Sequence, residues 1–246
     1  VQKNQGSEVL IFLDLETTGL EAQDRICAIG LIALQDKTVT TMYDIVNEGK
    51  KISAKASSIN HITNEMLKAK PTLKESKTYQ FLQLHNNENS TIVAHNVKFD
   101  LEKLSACGFE FQGQIIDTLR VTKHLLPECE AFSLQFLRYD LKLYKDEKKE
   151  ALACGIETGL FPHHALSDAL FVKLLYECLS QMRTKEQMIA LSAQKVLMQK
   201  LPFGKYAGKF IEDIAMNEGR YLHWMLDNIT GLDEDLRYSI DYYLQG

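Results

Sequence analysis

Residues 9–20 read VLIFLDLETTGL. Five apolar residues, Val9, Leu10, Ile11, Phe12 and Leu13, run directly into Asp14, and Glu16 follows two positions later. On an extended strand, residues i and i+2 share a face. A strand that persists through residue 16 therefore aims both carboxylates at one point. Two negative charges held together cost free energy unless a cation or a proton intervenes. A buried strand ending in paired acids thus predicts a partner for the pair.

Working outward, residues 25–34 and 38–47 read as two further strands, joined by the polar stretch LQDKT as a hairpin. A helix is predicted over 72–86. Short strands are predicted at TIVAH (91–95) and QIID (114–117), and helices from about Val97, after Asp117, and around Leu134–Leu141. Leu170, Phe171, Leu174, Leu175, Cys178 and Leu179 have the spacing of a core-facing helix. Three early strands followed by alternating helices and short strands predict an α/β class, with a mixed sheet covered by helices. The charged run KLYKDEKKEALACG (142–155) reads as a solvated loop or a helix beside the core. A boundary is expected near 184–200. That gives a main domain at 8–182, a connecting helix or linker at 183–198, and a small unit at 199–246 made of a short hairpin followed by helices. A unit of roughly 45 residues has too little core to be very stable alone, so it is expected to pack on the main domain.

Composition narrows the function classes. Of 246 residues, 45% are hydrophobic and 25% charged, as in an ordinary globular domain. No apolar run approaches the roughly 20 residues of a membrane span, and the polar start VQKNQGSE has no signal-peptide core. The five scattered cysteines form no CxxC pair, which favours free thiols over disulfides or zinc, and a reducing, cytoplasmic location. A net charge of −5 argues against a general nucleic-acid coat protein but not against a nuclease, whose metal site is itself acidic.

Three more segments place polar chemistry at the ends of apolar elements. In AHNVKFDLEKL (94–104), His95 and Asn96 end a strand and Asp100 falls in the next helix's first turn. In HHALSDALF (163–171), Asp168 opens the strongest helix. Asp117 ends QIID and is read as a helix cap. Taken singly, Asp100 and Asp168 are also explained by the helix dipole, and His163 by solvent exposure. Asp14 and Glu16 are not explained that way.

Together these residues resemble the DEDDh 3′–5′ exonucleases. Asp14-Leu15-Glu16-Thr17-Thr18-Gly19-Leu20, His95-Asn96 with Phe99-Asp100, and His163 five residues before Asp168 match that family's three motifs in order, over roughly residues 8–182. INHIT (59–63) is similar to the family segment after the third strand. PFGKYAGKFIEDIA followed by GRYLHWMLDN resembles the small C-terminal domain of exodeoxyribonuclease X-like proteins. The resemblance implies a ribonuclease H-like fold, a mixed five-stranded sheet with flanking helices, and an enzyme acting on the 3′ end of DNA, single strands preferred, to release nucleoside 5′-monophosphates in repair or proofreading. The alternatives are an exoribonuclease of the same superfamily or a non-catalytic nucleic-acid- or polymerase-binding module, whose expected mark is loss of one or more acids.

Phosphodiester hydrolysis needs an activated water, a neutralised phosphate and a stabilised leaving oxygen. Two divalent ions about 3.5–4 Å apart serve all three, and Mg²⁺ or Mn²⁺ takes carboxylate oxygens. The resemblance implies that Asp14 bridges the ions, that Glu16 and Asp168 hold the one that activates water, and that Asp100 supports the other. It also places the general base at His163, with His164 the competitor; a histidine titrates in the required range. Substrate contacts implied in the same way are Thr17 at the terminal 3′ hydroxyl, Leu20 and the His61 segment on terminal bases, and Asn96 and Phe99 beside the site.

The stretch 195–211 carries Lys195, Lys200, Lys205 and Lys209 and no acid, with Phe203, Tyr206 and Phe210 interleaved. Such a pattern suits single-stranded nucleic acid and equally a mini-core with solvated lysines. Lys205 and Lys209 are carried as candidate substrate contacts. Gln199-Lys200-Leu201-Pro202-Phe203 faintly resembles sliding-clamp peptides. A polymerase or a sliding clamp in trans is therefore a candidate partner, and no membrane is.

Overall fold

The structure, a computed structural model, describes residues 7–157 and 159–245, so the polar start lies outside it through Gly6. Strand β1 (Val9–Thr17) runs past its apolar stretch and through both acids. Pairing, not hydrophobicity, carries it that far. β1 is antiparallel to β2 (Ile26–Gln35) from Val9 opposite Gln35 to Thr17 opposite Ile26, with a register shift between Glu16 and Thr17. β2 turns through Asp36 and Lys37 into β3 (Thr38–Ile45). On its other edge β1 is parallel to β4 (Ser90–Ala94), which is parallel to β5 (Gln114–Asp117). The sheet order is β3-β2-β1-β4-β5, a five-stranded mixed sheet as the resemblance implies. The β1–β4 ladder stops at Phe12 opposite Val93, so the acidic end of β1 projects beyond β4.

Helices α1 (Ala54–Asn60), α2 (Asn64–Leu67) and α3 (Lys77–Leu84) lie between β3 and β4, and α4 (Val97–Ser105) lies between β4 and β5. After β5 come α5 (Thr118–Leu125), α6 (Leu134–Asp140), α7 (Glu147–Ala153), α8 (Ala165–Ser180) and α9 (Lys185–Ala193). One sheet face packs Ile11, Leu13 and Leu15 against Tyr79 and Leu82 of α3 and Leu104 of α4. The other packs Phe12, Ile32 and Val93 against Leu170 and Leu175 of α8. Strand alternation puts Asp14 and Glu16 on the Phe12 face, toward α8.

The charged run 142–155 enters the core more fully than a solvated segment does. It forms a 3₁₀ turn (Leu143–Lys145) and α7, and it buries Ala151 and Cys154 in the Phe12-face core. Its lysines face out while every third or fourth residue faces in, a period that the charge count hides. All five cysteines are free, and Cys27 and Cys154 are buried.

A third core lies within α10 (Ile211–Asn228), α11 (Glu234–Gln245) and the loop before them, where Leu201, Ile211, Leu222, Met225, Leu236 and Ile240 are buried. In place of the expected hairpin there is a single bridge, Lys200 to Phe210, because the intervening loop turns on Gly204 and Gly208 at φ +84° and +80°. Leu201 is fully buried, so Gln199–Phe203 is not free to dock as a clamp-binding peptide. Arg120 of α5 forks onto buried Asp235 of α11 at 2.9 and 3.0 Å, and the Val196 N–H donates to the same carboxylate. Met188 of α9 is buried in the Phe12-face core. Among the described residues no helix is long and apolar enough to cross a membrane.

Candidate active site

The site is set by how closely α8 approaches the sheet. Gly30 of β2 lies directly opposite Asp14. A Cβ built on it would come within 2.3 Å of the Leu166 N and 2.4 Å of the Ala165 carbonyl carbon. The start of α8 therefore rests on bare backbone, and Asp168 in its first turn is carried to the β1 acids. Carboxylate oxygens of Asp14, Glu16 and Asp168 all lie within 4.8 Å of one another. Asp14 and Glu16 keep part of their surface open to the cleft, whereas Asp168 is buried.

Asp100 is buried on the first turn of α4 and accepts from its own N–H and from the Leu15 N–H, at the end of β1 that β4 no longer covers. It is outside the close trio, but its charge is felt by both Asp14 and Glu16. The consequence is a strongly acidic centre short of compensation. Burial first, then the charges of Asp168, Asp100 and Glu16, hold the Asp14 carboxyl well above the usual carboxylate range. Burial and Asp168 push Glu16 up to about 8, against the pull of an Asn60 hydrogen bond. Burial raises Asp100 to about 8, and Asp168 to about 7 despite hydrogen bonds from the His163 N–H and Gln135 and the nearby Arg138 charge. Carboxylates with such values share protons or a cation.

The sequence nominated some of the groups that hold this centre. The His163 N–H donates to Asp168 at 2.9 Å, so its backbone is tied to the trio while its ring is exposed. His163, His61 and Asn96 are three of only six described non-glycine residues at positive φ (+58°, +59° and +68°), a conformation that costs free energy and gathers at functional sites. His164 points elsewhere. Its ring stacks on Tyr43 at 4.3 Å, half-buried, with Nδ1 unpartnered and burial lowering its pKa. Asp117 is the predicted cap, accepting from the Leu119 N–H at 2.9 Å and also from the Asn96 N–H at 3.0 Å.

At the rim, the Thr17 hydroxyl donates to the Gly19 carbonyl at 2.7 Å and closes the turn. Leu20 beyond it is 78% exposed. His61 is exposed at the end of α1, Asn96 is exposed at the start of α4, and Phe99 lies half-buried beneath the Lys103 ammonium. Lys205 and Lys209 are on the C-terminal unit, both over the Tyr206 ring.

Four residues the sequence reading passed over are part of the support. Asn60 donates to the Thr17 carbonyl at 3.2 Å as well as to Glu16. Gln135 donates to Asp168 at 2.9 Å and accepts from Arg138, which is itself gripped by Glu147. Lys103, buried, donates to the Glu21 and Asp24 carbonyls. Asn60 sits inside the INHIT segment and had that much signal; Gln135, Arg138 and Lys103 had none.

The comparisons agree with this geometry. Residues 11–176 match the family described as Exonuclease, and residues 201–230 match the Exodeoxyribonuclease X-like C-terminal family. The chain is 30% identical to Exodeoxyribonuclease 10 of Escherichia coli (strain K12), over 96% of this chain and 99% of that protein. It is 29% identical to DNA polymerase III subunit epsilon of Treponema pallidum, over 62% and 76%. Among solved structures it is similar to Exonuclease X in complex with 5′ overhanging duplex DNA, with a TM-score of 0.58 and 26% identity over 75% of this chain and 99% of that one. E. coli exonuclease I in its complex with a dA16 oligonucleotide shares the fold, with a TM-score of 0.50 and 20% identity over 74% of this chain and 42% of that one. With its motif acids assembled on the matching fold, the chain belongs to the exonuclease family.

Proposed function

We propose that the chain is a metal-dependent 3′–5′ exodeoxyribonuclease that removes nucleoside 5′-monophosphates from the 3′ end of DNA, single strands preferred. The observation that carries this is the convergence of Asp14, Glu16 and Asp168 within 4.8 Å, with Asp100 beside them, every carboxyl pushed up by burial, and Asp14 and Glu16 further by the neighbouring acids. The near full-length likeness to Exodeoxyribonuclease 10 supports DNA as the substrate.

The donor set fits hard divalent cations. It offers only carboxylate oxygens, and its raised pKa values report unmet negative charge. Mg²⁺ or Mn²⁺ would be held by Asp14, Glu16 and Asp168, and a second ion by Asp14 with Asp100. When bound, such ions neutralise the scissile phosphate, supply an activated water and stabilise the leaving 3′ oxygen. The chain's own residues do the rest. His163, on a strained backbone pinned to Asp168, takes the proton of the attacking water on a ring nitrogen. Thr17 and its turn meet the terminal 3′ hydroxyl, Leu20 and His61 pack on terminal bases, and Asn96 and Phe99 line the approach. Lys205 and Lys209 contact the strand farther back. The units would be 8–182 for chemistry, 183–198 as connector and 199–246 as accessory. Likeness to the epsilon subunit supports a polymerase partner in trans.

The test is a single-stranded DNA labelled at its 3′ end, incubated with Mg²⁺, with Mn²⁺ and with EDTA, beside an RNA of the same sequence. Labelled mononucleotide released from DNA only with metal is the expected result. Internal cleavage, metal independence or faster loss of RNA would overturn the proposal.

A further inference from the structure

The C-terminal unit carries a connected run of rings, of which Tyr206 and Tyr221 pack partly against its core and Trp224 stands outside it. Tyr206 meets Tyr221 edge-on at 4.9 Å, and Tyr221 stacks near Trp224 at 6.0 Å with the planes 26° apart. The run is built into the fold, because the Tyr221 hydroxyl accepts from the Lys205 N–H at 3.1 Å, close against Gly204, where a Cβ would stand 2.4 Å from that oxygen. Trp224, at its outer end, is 51% exposed. At its inner end the ammonium groups of Lys205 and Lys209 lie 4.7 and 5.4 Å from the Tyr206 centroid, and Lys200 lies 5.3 Å from exposed Phe210. Glu218 of α10 is the acid whose charge reaches Lys205.

This surface is continuous with the catalytic unit. A groove of about 1210 Å³ runs from Asn96 and Lys98 at the head of α4 past Lys123 to Lys195. A second, of about 370 Å³, shares Lys123 and reaches Lys200, Pro202 and Gly208 at the base of the aromatic loop. The first groove sets Lys98, Arg120, Lys123 and Lys195 among acids that include Glu102, Asp233 and Glu234, whereas the second carries Lys123 and Lys200 against Glu130. Lysines beside the aromatic loop suit a phosphate backbone, and the exposed indole of Trp224, which lies outside both grooves, suits an unpaired base. The pairing of cations with ring faces marks single-stranded nucleic acid.

We infer that Trp224, Tyr221 and Tyr206 with Lys205 and Lys209 form a second binding site for single-stranded DNA, holding bases upstream of the 3′ terminus while the acidic centre holds the end. The choice of DNA rests on the function proposed above. Bases stack on Trp224, and the lysines contact the phosphates.

Trp224 is the chain's sole tryptophan, so its fluorescence reads this site alone. The full chain in EDTA, titrated with a thymidine oligonucleotide, should show saturable quenching of Trp224. Trp224→Ala should weaken binding of a dye-labelled oligonucleotide about tenfold, and Trp224→Phe, which keeps a ring, far less. Lys205→Ala with Lys209→Ala should lower the slope of log affinity against log salt by about 1.4. Thermal melts identify any variant that fails to fold, and the Phe variant then carries the comparison. An oligonucleotide that binds with Trp224 silent, that does not bind, or that binds these variants as it binds wild type overturns the inference. Hydrolysis with Mg²⁺ is scored separately: hydrolysis with a silent Trp224 sinks the second site and spares the function, and quenching without hydrolysis does the reverse.

Discussion

Replacing Gly30 by alanine tests whether the seat of α8 on β2 sets the geometry of the acids. The added methyl would stand 2.3 Å from the Leu166 N, 2.4 Å from the Ala165 carbonyl carbon and 2.7 Å from its oxygen. All three are backbone atoms, so no side chain can swing aside. Restoring an ordinary separation of about 3.4 Å moves the start of α8 by about 1 Å. Asp168 is on that turn, and its distance to Asp14 and Glu16 grows accordingly. A misplacement of about 1 Å costs on the order of 100-fold in turnover, and the strain costs about 1–3 kcal/mol of stability. Turnover on single-stranded DNA and the Mg²⁺ concentration for half-maximal rate should both worsen in Gly30→Ala. The control is Leu31→Ala, which empties the opposite face of the same strand and costs about 2–5 kcal/mol without touching α8. If the two variants, assayed well below their melting temperatures, lose activity equally, or if Gly30→Ala turns over like wild type, the argument from α8 fails.

The raised carboxyls predict an inverted pH dependence in EDTA. Folded-state pKa values of about 7 to 8 lie above the ordinary range near 4, so the native state binds more protons than the unfolded one between those limits. Stability is full below that window and is lost as pH rises through 7–8, by up to ~1.4 kcal/mol per pH unit for each such proton. Mg²⁺ should therefore raise the melting temperature more at pH 8 than at pH 5.5, and Glu16→Gln should melt higher than wild type at pH 8 in EDTA; a flat profile without metal refutes this. His163→Ala should lower turnover by about 10²–10⁴-fold with Mg²⁺ binding intact, while His164→Ala, which loses a stack on Tyr43, should stay within about tenfold; the reverse order would move the base to His164. Gln135→Ala should weaken Mg²⁺ affinity about 10–100-fold by freeing the Asp168 carboxylate, read by calorimetry, and an unchanged affinity would show that the contact is idle.

Much of the sheet and all four acids were legible because local rules place them. Alternation on one strand puts Asp14 beside Glu16, and Asp100 and Asp168 each stand in the first turn of a recognisable helix. The run of β1 beyond Asp14 was conditional in the sequence, since backbone pairing to β2 sustains it and apolar residues do not. Gln135 and Arg138 were silent because their partners, Asp168 and Glu147, come from other elements, and only folding brings them together. The expected C-terminal hairpin is a single bridge in the structure. Two glycines at positive φ bend the 201–210 segment back without a ladder, and strand propensity does not register that geometry.

The turn that presents Leu20 is bolted from below. The Asp24 carboxylate takes the Thr18 hydroxyl, the Glu21 N–H and the Lys50 ammonium, and Lys103 clamps the Glu21 and Asp24 carbonyls. Gly19 is needed there, for a Cβ would strike Asp24 Oδ2 at 2.3 Å. The exposed leucine is thus a fixed tooth on a rigid mount. An enzyme that removes one nucleotide at a time meets a new terminus after every cut, and a floppy loop would have to be ordered anew each time. If terminal bases pack on Leu20 as proposed, the ordering cost is met once, when the chain folds, and every later terminus arrives at a side chain already in place.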